Sequence, residues 1–482
     1  MAETIPELLA EAAADAPDAT WLLHSDDAFT YTQALERIRR AAGGLAARGA
    51  GRGELVLATC PNTPASLFAW LGAMHLGAIW VPVNPRASAA ERDALVAQVR
   101  PRLDLPEADL AALGEAEPWD GPPPDPAAPA VLIPTSGTTG RSKLVTQTQR
   151  AYVLAGEGFP WWMQLTAEDR LMTSLPLFHI NAPAYSVLGS VAARASLVLL
   201  PGFSASTFLE SARRFGATEF NAIGAMLELL MRRPERPDDA GTPLRRCYTG
   251  PSPPRERHLE IERRFGIEVV CGYAMSESPY GLIWPRGTRP FGTLGSVRQH
   301  PRLGTINEGR VVDGELHLRN PAVMLGYWDM PEETAAVLPG DGWLRTGDLV
   351  EVDGDTYTFV GRRKEVIRRR GENLAPGEVE EALASHPDVL EAAVIGVPSE
   401  LSEEDVKAFV VLREGAAGDL AAVRAWGAER LAPFKVPRYL EALGELPHTP
   451  TGRVAKHRLP RERTARERDF GDRTTRPTAE DG

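Results

Sequence analysis

A short apolar segment of the sequence runs into a loop whose side chains could hold phosphate. Residues 130–134 (AVLIP) predict a strand, and the loop after it consists of hydroxyl residues, glycines and two basic residues: Thr135, Ser136, Gly137, Thr138, Thr139, Gly140, Arg141, Ser142 and Lys143. Glycines let the backbone turn its N–H groups toward an anion, and hydroxyls and a lysine add donors without bulk. The spacing of a Walker loop is absent. We therefore predict a phosphate-binding loop of another type, with an ordinary turn as the alternative.

Four later segments also combine residue types that could do chemistry: 273–277 (YAMSE), 342–348 (GWLRTGD), 361–373 (GRRKEVIRRRGEN) and 450–456 (PTGRVAK). With the loop, and in this order, they resemble the signature motifs of the adenylate-forming superfamily, which includes acyl- and aryl-CoA synthetases, adenylation domains of peptide synthetases and beetle luciferases. The resemblance covers about residues 6–460. It implies an ATP-dependent, AMP-forming acid–CoA ligase. Such an enzyme activates a carboxylic acid as its acyl-adenylate, releases pyrophosphate and transfers the acyl group to CoA.

The resemblance implies that the first two motifs bind the phosphates and the base of ATP. The loop would close over the β- and γ-phosphates, Ser276 would contact the α-phosphate and Tyr273 would stack on adenine. Glu277 would hold Mg²⁺ together with Thr138. This is chemically reasonable because Mg²⁺ usually takes one or two protein carboxylates and completes its shell with phosphate oxygens and water. The alternative for this second motif is a helix start with a capping acid.

The third and fourth motifs resemble the ribose site and the hinge before a C-terminal lid. Asp348 would accept hydrogen bonds from both ribose hydroxyls, with Arg362 beside it. Lys364 occupies the hinge position, about which the lid would rotate between the two half-reactions. Gly371 would line the tunnel for the pantetheine arm of CoA, although Arg370 replaces the glycine that is usual before it. Arg370 could narrow the tunnel, meet a CoA phosphate or simply face solvent.

The last motif resembles the segment that carries the lid's catalytic lysine. In this chain Arg453 stands at that position and Lys456 follows three residues later. A cation delivered by a closing lid would stabilise the negative charge that builds up when the carboxylate attacks the α-phosphorus. Arginine keeps the charge but not the compact shape of an ammonium. We therefore prefer Arg453 as the catalytic cation, with Lys456 as the alternative.

The acid pocket is predicted less specifically. Segments 178–181 and 220–226 look most like the crotonobetaine/carnitine-CoA ligase branch, whose acids are short, yet they contain no acidic partner for a quaternary ammonium. A gating histidine and small residues that let a ligand approach the backbone are the candidates for substrate binding: His179, Gly224, Gly250 and Ala274. For His179 the alternative is an ordinary core histidine at the end of a strand.

The motifs must be positioned by an alternation of helices and strands. Helical spacing over 34–50 and 64–76, with short apolar strands at 55–58 and 78–83, predicts an α/β fold with largely parallel sheets. Residues 101–130 are rich in Pro, Asp, Glu and Ala and predict a surface connection.

Three regions follow from the same pattern. We predict a large N-terminal AMP-binding domain of linked subdomains (1–361), a small mobile α+β lid (362–460) and a disordered charged tail (461–482).

Bulk composition limits the function classes. The chain has 482 residues, 43% of them hydrophobic, and a net charge of −12. A net charge of this sign argues against nucleic acid or an acidic membrane surface as the main partner. Neither a signal peptide nor a stretch of about 20 apolar residues is visible, so we predict a cytoplasmic enzyme. Cys60, Cys247 and Cys271 lie too far apart for a usual zinc site and predict buried thiols.

The sequence leaves the acyl acceptor open. A stand-alone adenylating enzyme that loads a carrier protein or another nucleophile is the first alternative to a CoA ligase. The Ala/Arg/Pro-rich sequence suits a high-GC bacterium, and bacterial secondary metabolism uses such variants. A catalytically silent binding protein is the second alternative.

Overall fold

The computed structural model describes residues 2–135, 143–250, 252–369, 372–399, 404–416, 418–449 and 454–471. Helices and strands alternate through most of the described chain, so the predicted α/β fold is confirmed. The chain divides into two compact units. The larger comprises 1–310, 317–345 and 352–358, and the smaller comprises 311–316, 346–351 and 359–482. None of the described helices is both long enough and apolar enough to span a bilayer.

The α-helices of the described chain are α1 (Ile5–Asp15), α2 (Tyr31–Ala47), α3 (Pro64–Leu76), α4 (Ala89–Val99), α5 (Glu107–Leu110), α6 (Gln149–Met163), α7 (Leu188–Ala193), α8 (Phe208–Phe215), α9 (Gly224–Met231), α10 (Arg255–Phe265), α11 (Pro331–Val337), α12 (Pro376–Ala384) and α13 (Leu420–Ala428). A π-helical segment, Ala182–Val187, leads directly into α7.

The strands are β1 (Thr20–His24), β2 (Asp27–Thr30), β3 (Leu55–Thr59), β4 (Ile79–Val83), β5 (Leu103–Leu105), β6 (Pro129–Thr135), β7 (Lys143–Thr148), β8 (Arg170–Thr173), β9 (Ser196–Leu199), β10 (Glu219–Asn221), β11 (Arg246–Thr249), β12 (Glu268–Met275), β13 (Ser278–Ile283), β14 (Ser296–Val297), β15 (Glu308–Val312), β16 (Glu315–Arg319), β17 (Gly326–Tyr327), β18 (Leu344–Asp353), β19 (Thr356–Arg362), β20 (Ile367–Arg369), β21 (Glu372–Leu374), β22 (Val389–Pro398), β23 (Glu404–Leu412), β24 (Tyr439–Leu443) and β25 (Glu467–Asp469).

Helix α3 shows how local sequence sets an element. Thr63 caps its first turn by accepting a hydrogen bond from the Ser66 amide, and Pro64 occupies the first helical position. The helix stops at Gly77, whose φ of 77° lies in the left-handed region that favours glycine. Almost every side chain between these signals is buried. The helix therefore lies inside the larger unit rather than on its surface.

A nine-stranded sheet carries several of the predicted site residues. Its order is β14-β13-β12-β11-β10-β8-β9-β1-β2, and its pairs from β12 through to β1 are parallel. In such a sheet the carboxyl ends of neighbouring strands meet at one edge, where ligands commonly bind. Asn221, Thr249 and Met275 end three adjacent strands of this sheet. The sheet thus collects the segments that follow them at a single edge.

A six-stranded sheet holds the ends of the phosphate loop. Its order is β17-β7-β6-β4-β3-β5, and β6 pairs antiparallel with β7. The last pair of that ladder joins Thr135 to Lys143, and the Thr135 hydroxyl donates to the Lys143 carbonyl at 3.1 Å. Residues 136–142, between these strands, lie outside the described residues.

Residues 101–130 are more ordered than their composition predicts. The prediction of a plain surface connection is wrong here, because Leu103–Leu105 forms the edge strand β5 beside β3. A short helical stretch follows, in which Leu110 and Leu113 are buried. Three residues are too few for a strand period to show in sequence, and only the burial of these leucines reveals the packing. The three cysteines are buried, as predicted.

The smaller unit contains a four-stranded sheet, β22-β23-β24-β25, whose face packs against α12 and α13. The prediction of a disordered tail from residue 461 is wrong for its first part, because Glu467–Asp469 forms the edge strand β25. Its charges are paired: the buried ammonium of Lys407 lies 2.8 Å from Glu467 and 3.5 Å from Glu441. A charged segment can therefore be ordered when its charges meet buried partners.

Candidate active site

The edge of the nine-stranded sheet brings the acid-pocket candidates close to the second motif. Gly250 follows β11, and Ala274 lies near the end of the neighbouring strand β12. A Cβ on Gly250 would come within 2.3 Å of the Gly272 carbonyl, so close packing of the strands already requires glycine there. A Cβ on Gly224, in contrast, would meet no protein atom within 4 Å in the described chain. Of these small residues, Gly224 leaves open space beside the edge.

Glu277 is held by a tyrosine that the sequence analysis missed. The Tyr327 hydroxyl donates to Glu277 Oε1 at 2.9 Å, and the Met324 amide donates to the Glu277 carbonyl at 2.8 Å. The ammonium of Lys143 lies 4.5 Å from the centre of the Tyr327 ring. Tyr327 thus places the carboxylate of the second motif near the lysine that ends the phosphate loop. Tyr327 stands in no recognised motif, so only these distances identify it.

A hydrogen bond from a neighbouring strand also holds the turn of the second motif. Tyr273 and Ala274 lie in β12, and Ser276 begins the turn into β13, so the motif sits on a hairpin rather than at a helix start. The buried Gln147 donates through Nε2 to the Ser276 carbonyl at 2.7 Å. Gln147 lies on β7, directly after the phosphate loop. This hydrogen bond fixes the backbone at Ser276 relative to the strand that follows the loop.

In the smaller unit, the third motif forms a tight turn that buries its aspartate. The Thr346 hydroxyl donates to the Leu316 carbonyl at 2.6 Å and accepts from the Asp348 amide at 3.1 Å. Gly347 has a φ of 72°, which favours glycine at this position. Asp348 is only 1% exposed, and Arg362 Nε lies 2.8 Å from its Oδ1. The structure therefore brings together the two residues expected at the ribose.

The residues on either side of Lys364 are tied to different parts of the chain. Before it, Arg363 forms an ion pair with Glu315, much as Arg362 pairs with the third motif. After it, Glu365 pairs with Lys456, which lies far along the chain. Lys364 itself is the middle residue of a short 3₁₀ turn, Arg363–Glu365. Its side chain is not among those described.

Lys456, one of the two candidate lid cations, is engaged in a double ion pair. Its ammonium lies 2.7 Å from Glu380 Oε1 and 3.2 Å from Glu365 Oε2. Glu380 also accepts from the Val394 amide at 2.7 Å. Burial raises the pKa of Glu380, and the Lys456 ammonium opposes that shift. Lys456 therefore stabilises the smaller unit by compensating a carboxylate that is largely removed from water.

Several predicted residues lie outside the described residues, so the structure does not test their roles. They are Ser136, Gly137, Thr138, Thr139, Gly140, Arg370, Gly371 and Arg453.

The predicted gating histidine lies beside the nine-stranded sheet. The ring of His179 lies 4.6 Å from that of Phe178, and its amide donates to the Pro176 carbonyl at 3.2 Å. Two residues later Asn181 accepts a hydrogen bond from Asn221 Nδ2 at 2.7 Å, which ties this segment to the end of β10. The π-helical segment begins at the next residue. Irregular helical turns of this kind are frequent at functional sites.

Beneath this edge lies a buried arginine that the sequence analysis also missed. Arg298 donates to the hydroxyls of Tyr185 and Tyr248, and to the Leu282 carbonyl at 3.0 Å. Tyr248 lies in β11, one residue before the strand ends, and Tyr185 lies in the π-helical segment. We call these three residues the Arg298 cluster. An arginine in a loop normally faces solvent, so sequence gave no signal for its burial.

The sequence matches known protein families in two parts. Residues 9–328 match the AMP-binding enzyme family, and residues 378–453 match the C-terminal domain of AMP-binding enzymes. The chain belongs to the AMP-binding enzyme family. The superfamily predicted from the five motifs is therefore confirmed.

This AMP-binding enzyme has curated relatives over almost its whole length. It is 34% identical to the sulfoacetate–CoA ligase of Cupriavidus necator, over 95% of this chain and 97% of that protein. It is 28% identical to the crotonobetaine/carnitine–CoA ligase of Salmonella typhimurium, over 89% of this chain and 93% of the relative. The predicted branch is thus represented among the relatives.

Solved structures agree with this placement. ATP-bound MatB from Rhodopseudomonas palustris superimposes with a TM-score of 0.87 at 25% identity, covering 95% of this chain and 98% of that one. o-Succinylbenzoate CoA synthetase (MenE) from Bacillus subtilis, in complex with its acyl-adenylate, gives 0.85 at 25% identity with the same coverage. This AMP-binding enzyme is an AMP-forming acid–CoA ligase, with a carboxylic acid, ATP and CoA as substrates.

Proposed function

We propose that this acid–CoA ligase activates a short carboxylic acid, with Mg²⁺ held at Glu277, the ribose of ATP held at Asp348 and the adenylation step assisted by Arg453. The observation that carries the proposal is the buried pair of Asp348 and Arg362, 2.8 Å apart. A carboxylate that is only 1% exposed loses most of its hydration. Arg362 compensates its charge, and a carboxylate has the two oxygens needed to accept hydrogen bonds from two neighbouring hydroxyls.

The surroundings of Glu277 suit a Mg²⁺ ligand. Tyr327 donates to one carboxylate oxygen, and the other accepts no hydrogen bond from the described residues. No cluster of three or more acidic, histidine or cysteine residues that could hold a metal occurs in the described chain. That donor set suits Mg²⁺, which takes few protein carboxylates and otherwise coordinates phosphate oxygens and water. When bound, the ion would neutralise charge on the phosphates, and Thr138 is the proposed second ligand.

Arg453 is proposed as the lid cation because Lys456 is already engaged. To reach a substrate carboxylate, the Lys456 ammonium would have to leave both Glu365 and Glu380. That would leave the Glu380 carboxylate largely buried without its compensating charge, which is costly. Arg453 stands at the family's lysine position in the sequence and keeps a permanent positive charge.

The proposed domain boundary follows the change of partners around Lys364. We place the AMP-binding domain at 1–361 and the mobile lid at 362–460, with Lys364 as the hinge. Arg362 and Arg363 pair with residues earlier in the chain, whereas Glu365 pairs with Lys456 later in the chain. A rotation about Lys364 would leave both sets of ion pairs intact. Gly371 is the proposed contact for the pantetheine arm.

A short acid is supported by the names of the relatives. Sulfoacetate, crotonobetaine and carnitine, which give two relatives their names, are all small. His179, Gly224, Gly250 and Ala274 are the proposed pocket residues. The acyl group is proposed to lie on the Gly224 side, where a Cβ would meet nothing within 4 Å, because Gly250 is already enclosed by the strand next to it.

Two separated half-reactions test the proposal. Pyrophosphate release from ATP is measured over a panel of short, aromatic and amino acids, and thioester formation is then measured from a supplied acyl-adenylate with CoA. Arg453→Ala should slow pyrophosphate release by about 10²–10³-fold, the cost of one transition-state charge contact, and largely spare thioester formation. If Lys456→Ala slowed pyrophosphate release by that factor and Arg453→Ala did not, Lys456 would be the cation.

The same assays identify the acceptor. Acyl transfer to CoA is the expected outcome. Pyrophosphate release that is normal with no transfer to CoA, but with loading of a holo acyl-carrier protein, would contradict it.

A further inference from the structure

The side chain of Tyr327 contacts a cation and an anion at the same time. The Lys143 ammonium lies over its ring, 4.5 Å from the centre, and its hydroxyl donates to Glu277 Oε1 at 2.9 Å. An ammonium is attracted to the face of an aromatic ring, and a hydroxyl that donates to a carboxylate forms a charge-assisted hydrogen bond. Each contact therefore holds a charged group in place without neutralising its charge.

The pairing of β17 with β7 brings these groups to one face of the sheet. Tyr327 pairs with Val145 on the antiparallel strand, so its side chain shares a face with Val145 and with Lys143, two residues earlier. The same alternation puts Gln147 on this face, and Gln147 donates to the Ser276 carbonyl. The turn of the second motif is thus held against the face that carries the lysine.

Tyr327 is itself fixed by burial and by its backbone. It is only 8% exposed, and its amide donates to Thr334 Oγ1 at 2.9 Å. The Thr334 hydroxyl donates in turn to the Met330 carbonyl at 2.7 Å. The next amide, that of Trp328, donates to the Leu144 carbonyl at 2.8 Å. The ring therefore has a set position relative to β7.

The two charges beside Tyr327 do not pair with each other. Lys143 and Glu277 are both described, and they form no ion pair with one another in that part of the chain. An ammonium and a carboxylate attract each other strongly where water is scarce. A direct pair would put the ammonium on a carboxylate instead of a phosphate, and the carboxylate on an ammonium instead of a metal ion.

We propose that Tyr327 is a positioning residue that keeps Lys143 and Glu277 apart, so that the lysine stays available to the phosphates of ATP and the glutamate to Mg²⁺. The inference rests on the proposed function and deepens it, because it assigns the arrangement of two site charges to a residue outside the five motifs. Tyr327 acts through these two residues and not on the reacting atoms.

Binding of ATP without Mg²⁺ tests the lysine side of the inference. Calorimetric titration of the full chain with ATP in EDTA, with no acid present, reports on the lysine apart from catalysis. Tyr327→Leu removes the ring and the hydroxyl and lets Glu277 pair with Lys143, so the Kd for ATP should rise about 10-fold, the range for a contact between charged groups. In a Glu277→Gln background no carboxylate competes for the lysine, and the effect of Tyr327→Leu should shrink to about twofold or less.

Tyr327→Phe separates the two contacts, because it keeps the ring under Lys143 and removes only the hydroxyl. The Kd for ATP in EDTA should stay within about twofold of the wild type. The Mg²⁺ concentration for half-maximal pyrophosphate release should rise about 10-fold, because the carboxylate loses a hydrogen bond that orients it.

Tyr31→Phe is the matched control. It also removes a buried hydroxyl of the larger unit, one that donates to the Ser190 and Ala195 carbonyls, and it should leave both measurements unchanged. Thermal unfolding of each variant shows whether it is folded.

Two results would overturn the inference. One is an unchanged Kd in Tyr327→Leu, and the other is an equal loss of ATP binding with and without Glu277→Gln, because a general disturbance of β17 does not depend on a carboxylate. If Tyr327→Leu does not fold, Tyr327→Phe decides alone, and an unchanged Mg²⁺ requirement overturns the inference. None of these results touches the proposed function, which fails if no acid supports pyrophosphate release by the wild type.

Discussion

At the scale of single residues, the buried Asp348 carboxylate is the residue of the smaller unit on which the proposed function depends most. Its charge is held by Arg362, and its backbone is fixed by the Thr346 hydroxyl and by a left-handed glycine. The turn would form for geometric reasons alone, but a turn does not require a buried charge. The proposed contact with the ribose of ATP would give this buried carboxylate a role beyond the turn.

Asp348→Asn tests that explanation. The amide keeps the size of the side chain but loses the charge and one acceptor, so the KM for ATP should rise about 10- to 100-fold, the range for a hydrogen bond to a charged group. The KM for CoA should change much less. Asp341→Asn is the matched control, because Asp341 is exposed, pairs with Arg310 and accepts from the Trp343 amide, a hydrogen bond that the Asn side-chain oxygen can keep. An unchanged KM for ATP in Asp348→Asn would remove this residue from the ribose site.

Site residues could be predicted from sequence where they belong to a recognisable motif. They could not be predicted where only a contact in the folded structure identifies them. Asp348 and Arg362 could be named from sequence because both belong to recognisable segments, and the structure places them together. Tyr327 and Arg298 could not. Each acts through a contact with residues far along the chain, and a lone tyrosine or arginine is most often a surface or core residue with no ligand.

At the scale of elements, Lys456 joins its 3₁₀ turn to helix α12 through its ion pair with Glu380. Lys456→Gln leaves the Glu380 carboxylate without its compensating ammonium, and should lower the free energy of unfolding by about 1–3 kcal/mol near neutral pH. Arg458→Gln, in the same 3₁₀ turn but exposed, is the matched control and should change stability little.

The pH dependence of the stability lost in Lys456→Gln is set by the titration of Glu380. Burial already raises the pKa of Glu380, and removal of the ammonium should raise it further. An acid whose pKa is higher in the folded state binds more protons when folded, so stability is gained as pH falls through the folded pKa. The penalty of Lys456→Gln should therefore shrink between neutral pH and pH 5 in urea unfolding. A penalty that is constant over this range would show that Glu380 is not the affected group.

Strand β25 shows why the prediction of disorder from residue 461 was wrong for its first part. Its sequence is charged, and charge composition alone favours disorder, but the Glu467 carboxylate sits on the buried Lys407 ammonium. A chain that ends at Ala465 should lose about 1–3 kcal/mol in stability of the smaller unit, because the buried Lys407 ammonium loses Glu467 and keeps only the more distant Glu441 as a described carboxylate partner. A chain that ends at Gly471 keeps every described pairing of the strand and is the matched control. Equal stability of the two chains, measured by urea unfolding, would show that the strand contributes nothing.

Element boundaries were predicted best where several local signals agreed. Helix α3 has the bounds that its apolar spacing and proline predicted, Pro64–Leu76. Strand β5 was missed because three residues cannot show a period. The second motif lies on a hairpin because β12 and β13 pair across it, a long-range fact that local spacing does not contain.

At the scale of the whole molecule, the ion pairs around the 3₁₀ turn argue for a single pivot. The ion pairs of Arg362 and Arg363 run to earlier chain and that of Glu365 runs to later chain, so a pivot at Lys364 would leave all three ion pairs intact. Lys364→Pro fixes φ at this residue, removes its backbone donor and restricts Arg363 before it. Lys364→Ala removes the side chain but leaves the backbone free, and is the matched control. We expect Lys364→Pro to retain acid-dependent pyrophosphate release and to lose thioester formation, because adenylation needs one lid position and acyl transfer needs a second.

Lys364→Ala should retain both half-reactions. Single-turnover thioester formation by Lys364→Pro at the wild-type rate would place the pivot elsewhere, and equal loss of both half-reactions in the two variants would assign Lys364 a role in chemistry rather than in movement.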